Sequence, residues 1–132
     1  MSDSTTASGK PVKIPGPDHP ITIKANPGRV IVSFGELQVA DTREALTLEE
    51  AGYDPVQYIP LDDVNLEALT PSDHESYCPF KGDANYYSVP AAGERGLNAV
   101  WQYREPYDAV AQIRGHVAFY ADRAEIDERF DQ

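Results

Sequence analysis

Cys78 is the only cysteine of the chain, and Lys81 follows it by three residues in the stretch YCPFKG, residues 77–82. A thiol turns nucleophilic when its pKa falls, and a neighbouring Lys, Arg or protonated His lowers it. Residues three apart approach one another in a turn, and Gly82 lets the chain bend tightly. Cys78 and Lys81 are therefore candidate catalytic residues, the sulfur serving as nucleophile or redox-sensitive thiol. A plainer role competes. Free cysteine is among the most buried residue types and often serves only as a small apolar packing group. His74, four residues before Cys78, could join it in a thiolate–imidazolium pair or a metal site. The three histidines at 19, 74 and 116 are scattered, however, and neither HxxxH nor CxxC occurs. No metal and no cofactor is expected.

Other residues would have to complete such a site. Arg43, Lys81 and Arg114 are basic residues in an acidic chain. A cation facing a pocket can hold a carboxylate or phosphate, so an anionic small molecule is the expected partner. An ordinary surface ion pair is the alternative for each. Tyr58, Tyr86, Trp101 and Tyr103 are candidate ligand-binding residues, with Arg43. Strand alternation puts Ala84, Tyr86 and Ser88 on one face, and Ala99, Trp101 and Tyr103 on one face of the next strand. If these strands pair, Tyr86 meets Trp101 or Tyr103 across the ladder. The rings then form either an aromatic-walled pocket or a core whose hydroxyls reach polar partners at its edge. The sequence has no GxSxG, HExxH, Walker-type or GxGxxG motif. The adjacent pairs Glu49-Glu50 and Asp62-Asp63 point apart on a strand and are weak evidence for acid–base work.

The totals exclude several classes. The 132 residues suit one domain. Acidic residues number 22 against 11 basic, a net charge of −11, which repels phosphate backbones and argues against nucleic-acid binding. One cysteine makes no internal disulfide, in keeping with a reducing compartment. The sequence shows no signal peptide and no apolar run of the ~20 residues that a membrane helix needs. A soluble, cytoplasmic protein is expected.

The elements that must position the candidates are short. Residues 1–18, rich in Ser, Thr, Gly and Pro, read as a flexible tail, draped over the surface near its end. The folded domain is expected over 19–132. ITIKA (21–25) alternates as a strand does, and RVIVSFGELQVAD (29–41) reads as a hairpin turning at Gly35-Glu36. LTLEE before Gly52 and VQYIP are expected strands, and LDDVNLEAL carries one or two helical turns. TPSDHES (70–76) reads as loop. ANYYSV and NAVWQY are expected to pair across the connection 90–96. PYDAVAQIRG predicts an α-helix near 106–114, HVAFYA a strand, and DRAEIDERF a strand end or short terminal helix. This is a mainly β domain, an open barrel or sandwich with one helix. Without strand–helix alternation, a doubly wound sheet is disfavoured.

Several stretches in order, HPITI, VADTREAL, YIPLDDV, YCPFKGDANYYSV, NAVWQYREPYDAV and IRGHVAFY, resemble the bacterial family called domain of unknown function 427, over about residues 19–121. The resemblance implies a small, mainly β domain of the open-barrel or β-tent kind. Some proteins of that architecture bind zinc through CxxC pairs, which this chain lacks. A nucleotidyltransferase label given to the family finds neither a phosphate-cradling glycine loop nor a spaced acidic pair here. The resemblance thus brings positions and no activity. The family's Cys-Pro-x-Lys-Gly falls on Cys78, Pro79, Lys81 and Gly82, its downstream aromatic on Tyr86, its Trp-x-Tyr on Trp101 and Tyr103, and its Tyr-x-Pro on Tyr58 and Pro60. Thiol, amine and aromatic positions kept together point to a site.

Two functions follow. The first is a small-molecule-binding domain, with enzymatic chemistry at Cys78 and Lys81 inside an aromatic-walled pocket. The alternative is a non-catalytic protein-interaction module in which the Cys-Pro-x-Lys-Gly stretch is a structural turn. Exposed strand edges allow a homodimer in either case.

Overall fold

Apolar and polar residues alternate in ITIKA, and a strand with one wet face forms there. The computed structural model describes residues 10–130, and residues 3–5 as backbone. Its strands run in order β1 (Asp3–Thr5), β2 (Pro11–Lys13), β3 (Ile21–Ala25), β4 (Arg29–Phe34), β5 (Leu37–Thr42), β6 (Leu46–Glu50), β7 (Val56–Pro60), β8 (Thr70–Cys78), β9 (Gly82–Ser88), β10 (Val100–Gln102), β11 (His116–Phe119) and β12 (Glu125–Arg129). Short 3-10 helices fill Leu61–Asp63, Leu66–Ala68, Pro90–Gly96 and Asp108–Ile113. The fold is mainly β, and its sheets do not close into a barrel.

All strand pairings among the described residues are antiparallel. One sheet orders seven strands as β3-β6-β7-β11-β10-β9-β8, a second orders three as β12-β4-β5, and β1 pairs with β2. The central strands of the large sheet are buried on both faces, which divides their residues between two apolar clusters. Ile59, Val100, Val117 and Phe119 pack with Val30, Val32, Phe34 and Val39 of the three-stranded sheet. Their chain neighbours Tyr58, Trp101 and Ala118 lie in a second cluster with Leu48, Tyr86 and Tyr103. This second face carries the candidate site.

Two elements differ from what the sequence predicts. Residues 70–76 are not loop but most of β8, an edge strand paired with β9 and irregular between Pro71 and Glu75. Its side chains are mostly exposed, so it lacks the apolar alternation that marks a half-buried strand. The α-helix expected near 106–114 is a 3-10 helix, Asp108–Ile113, broken at Val110 (φ −126°). Val110 and Ile113, three residues apart, both point into the second cluster, a spacing that one 3-10 turn satisfies as well as an α-turn does. Residues 125–129 pair with β4, which settles the ending the sequence leaves open between strand and short helix in favour of the strand.

The tail expected over 1–18 lies partly outside the described residues. From Lys10 on it runs along the β8–β9 hairpin. Lys13 N donates to Pro79 O (2.9 Å), Tyr77 Oη to Pro11 O (2.5 Å), and Lys10 Nζ pairs with Asp83 Oδ1 (2.6 Å). No helix among the described residues is long and apolar enough to cross a membrane.

Candidate functional site

The β8–β9 hairpin closes with Cys78 opposite Gly82. Lys81 N donates to Cys78 O (3.1 Å), and Tyr107 N donates to Lys81 O (3.0 Å), which pins the turn to the segment before the last 3-10 helix. Gly82 has φ +112°, a conformation that side chains oppose, and a Cβ there would lie 3.4 Å from Glu105 O. This reversal sends the side chains of Cys78 and Lys81 the same way, with Nζ 3.8 Å from Sγ.

Lys81 is buried, and its ammonium belongs first to a carboxylate. Its Nζ donates to Glu50 Oε1 at 2.5 Å, with side-chain exposures of 9% for Lys81 and 11% for Glu50. His19 Nε2 donates to Glu50 Oε2 at 2.7 Å, because a carboxylate can only accept. The His19 ring in turn stacks on Phe80, its centroid 4.2 Å away and the planes 6° apart. Burial alone would raise the Glu50 carboxyl. The hydrogen bonds from Lys81 and His19 outweigh that and hold it below its ordinary value.

Aromatic rings form the walls. Strand pairing sets Trp101 directly opposite Tyr86, and Tyr58 opposite Leu46. Trp101 Nε1 donates to Tyr58 Oη at 3.2 Å, and the two rings meet edge to face at 88°. Tyr120 lies against Trp101 with ring centroids 4.5 Å apart. Tyr86 Oη bonds Ser76 Oγ (2.8 Å) and Tyr120 Oη (3.4 Å). Burial pushes the phenols of Tyr58 and Tyr103 above their ordinary range. Burial, with the Tyr86 hydrogen bond, pushes Tyr120 up to about 12. All three are neutral hydroxyls near neutral pH.

These side chains enclose one cavity of about 290 Å³, lined by Tyr58, Cys78, Lys81, Tyr86, Trp101 and Tyr103, and further by Leu48, Glu50, Tyr53, Asp54, Val56 and Tyr120. It is open to solvent, and Tyr53 in its lining is 69% exposed. Arg43 does not line it. That residue is exposed in the turn after β5, on the three-stranded sheet, where its charge acts on Asp41. Arg114 is exposed at the end of the last 3-10 helix and also stays outside. His74 touches the edge of Tyr86, with centroids 4.5 Å apart. Among the described residues no group of three or more His, Cys, Asp and Glu could hold a metal ion.

The family model described as domain of unknown function, DUF427, matches residues 22–131. The chain belongs to this family. Within this DUF427 chain an 84-residue stretch, 63% of the length, is 27% identical to ribosome-releasing factor 2, mitochondrial, of Vanderwaltozyma polyspora. The stretch covers 10% of that relative. The family description carries no activity, so the chemistry of the DUF427 cavity has to be argued from its own residues.

Sequence reasoning missed seven contributors: Leu48, Glu50, Tyr53, Asp54, Val56 and Tyr120 in the lining, and His19 on Glu50. A signal existed for Glu50. It falls in register with Leu46 and Leu48 on β6, so its side chain shares the Leu48 face rather than that of its exposed neighbour Glu49. An acid in an apolar register implies a buried partner. Asp54 and Tyr53 lie in the turn between β6 and β7, where no periodicity points at a site.

Proposed function

We propose that this DUF427 domain binds a small organic molecule in the cavity above Cys78. One observation carries the reading: Tyr58, Cys78, Lys81, Tyr86, Trp101 and Tyr103 come from separate strands and turns and converge on a single solvent-open hollow. Apolar walls with a few fixed polar groups are the usual make-up of a ligand site. The volume lies at the small end of such sites, which suits a ligand of about one ring in size. Lys81 serves the floor here, since Glu50 already engages its ammonium. The anionic ligand that an uncommitted lysine would favour is therefore not the ligand we propose.

A second reading, thiol chemistry on the bound molecule, rests on the 3.8 Å separation of Lys81 Nζ and Cys78 Sγ. One experiment addresses both. Trp101 is the only tryptophan, so its fluorescence reports occupancy of the cavity directly. A library of ring-sized fragments is titrated against it, and iodoacetamide labelling of Cys78 is followed by mass spectrometry with and without each hit. The expected result is labelling of the native protein, slowed by the same fragments, over the same concentration range, that change Trp101 emission. If no fragment affects either signal, the binding reading fails. If Cys78 labels only after denaturation, the thiol-chemistry reading fails.

A further inference from the structure

We propose, resting on that reading, that the cavity selects an organic cation, a methylated or otherwise alkylated ammonium group. The first ground is charge. The cavity is lined by two carboxylates, Glu50 and Asp54, against one ammonium, Lys81. Glu50 and Lys81 neutralise each other at 2.5 Å. Asp54 has no ion-pair partner among the described residues. The charge left over at the cavity is therefore negative, and the whole chain, at −11, reinforces it.

The second ground is the kind of surface on offer. A cation is drawn to the negative face of an aromatic ring, and Trp gives the strongest attraction. Trp101 and Tyr58 meet at 88°, so their rings form a corner, and Tyr120 adds a third ring against Trp101. The Arg123 guanidinium lies 5.8 Å from the Tyr120 centroid, so Trp101 and Tyr58 are the rings offered to a ligand cation. The two nitrogen donors in the lining are committed, Lys81 to Glu50 and Trp101 Nε1–H to Tyr58.

The third ground is position. Asp54, Val56, Trp101 and Tyr120 line this cavity and also a second one, of about 350 Å³, which Phe119, Ile126 and Glu128 help to line. The unpaired carboxylate and the two touching rings thus stand where the hollows meet. An ammonium held there would have Asp54 on one side and aromatic faces on the other. Alkyl groups suit it better than bare N–H groups, because the rings offer no acceptors to replace lost water.

The test uses the full chain and probes that share a trimethyl head and carry three different charges. These are choline, its uncharged isostere neohexanol, and the anion pivalate, titrated against Trp101 fluorescence at fixed ionic strength. Choline should bind roughly tenfold more tightly than neohexanol, the size of a partly desolvated cation–π contact together with a nearby carboxylate. Pivalate should be weaker still. Asp54 is exposed, so Asp54→Asn should fold normally. It should weaken choline several-fold and leave neohexanol unchanged. Neohexanol or pivalate binding as well as choline would overturn the proposal while leaving the cavity a ligand site, and so would an Asp54→Asn variant with an unchanged choline preference. Silence from all three probes would also overturn it. The fragment titration would then decide separately whether the cavity binds anything.

Discussion

Lys81 Nζ and Glu50 Oε1 lie 2.5 Å apart, bridging the β8–β9 hairpin turn and the end of β6 across 31 residues of sequence. Both side chains are about nine-tenths buried. Taking two charges out of water is expensive, so such a pair is a weak source of net stability, yet removing one partner leaves the other stranded. Lys81→Met and Glu50→Gln should each destabilise the fold by about 3 kcal/mol in denaturant unfolding. The double variant should be clearly more stable than the sum of the two losses predicts, because no buried charge is left unmatched. Additive losses would show that the two groups do not interact in solution.

The same contact makes stability depend on acid. The Glu50 carboxyl titrates below its ordinary value of 4.5 in the folded chain. A depressed folded value means that the unfolded chain binds the proton first as pH falls. The contribution is therefore complete above the ordinary value and disappears as pH falls through the folded one. Asp41 adds to the same window, because hydrogen bonds from Arg29 Nε (2.8 Å) and Nη2 (2.6 Å) lower its carboxyl too. Melting temperature plotted against pH should fall below about pH 4.5 in the native chain and fall less steeply in Glu50→Gln. Parallel curves for the two proteins would contradict the assignment.

How much of this is legible in the sequence depends on how local the cause is. The facing of Tyr86 and Trp101 follows from strand period alone, and the register places them opposite. Cys78 and Lys81 meet because three residues span a turn. The Lys81–Glu50 contact has no local cause. It exists only because β6 and the β8–β9 hairpin approach one another in space, and the sequence offers only an acid in an apolar register. β8 looks like loop because Ser72, Asp73, His74 and Glu75 lie at a wet sheet edge, where the partner strand β9 supplies the order. Ala109, Val110 and Ile113 read as one buried helical stripe, but only Val110 and Ile113 are buried and Ala109 is exposed, and two apolar positions three residues apart do not distinguish an α-turn from a 3-10 turn.

Gly82 tests whether the turn, rather than the sheet, aims the site. Its φ of +112° lies outside what an alanine adopts readily, and the added methyl would stand 3.4 Å from Glu105 O and 3.9 Å from the Tyr107 ring. Gly82→Ala should cost about 2–3 kcal/mol and change the rate of Cys78 alkylation, because the backbone that sets Cys78 against Lys81 must shift. Gly35 also has positive φ, +62°, but nothing lies within 4 Å of its added methyl. Gly35→Ala should therefore cost only about 1 kcal/mol and leave Cys78 labelling unchanged. Equal effects from the two substitutions would mean that Gly82 is an ordinary turn glycine.

Tyr58→Phe isolates the hydrogen bond at the aromatic corner. Tyr58 is 2% exposed, and its hydroxyl accepts from Trp101 Nε1 at 3.2 Å. The substitution keeps the ring and its packing against Leu48 and Tyr103, so little is lost except the acceptor. Trp101 is only partly buried and faces the cavity, which lets water reach its freed N–H. The cost should therefore stay near the low end for a hydrogen bond, about 1 kcal/mol in urea unfolding. The emission of the sole tryptophan should shift at the same time, because its indole N–H exchanges a fixed phenol for mobile solvent. A stability loss with unchanged emission would place the damage elsewhere in the core. A shift in emission without loss of stability would show that water replaces the phenol fully, and the corner of the cavity would then be held by ring packing alone.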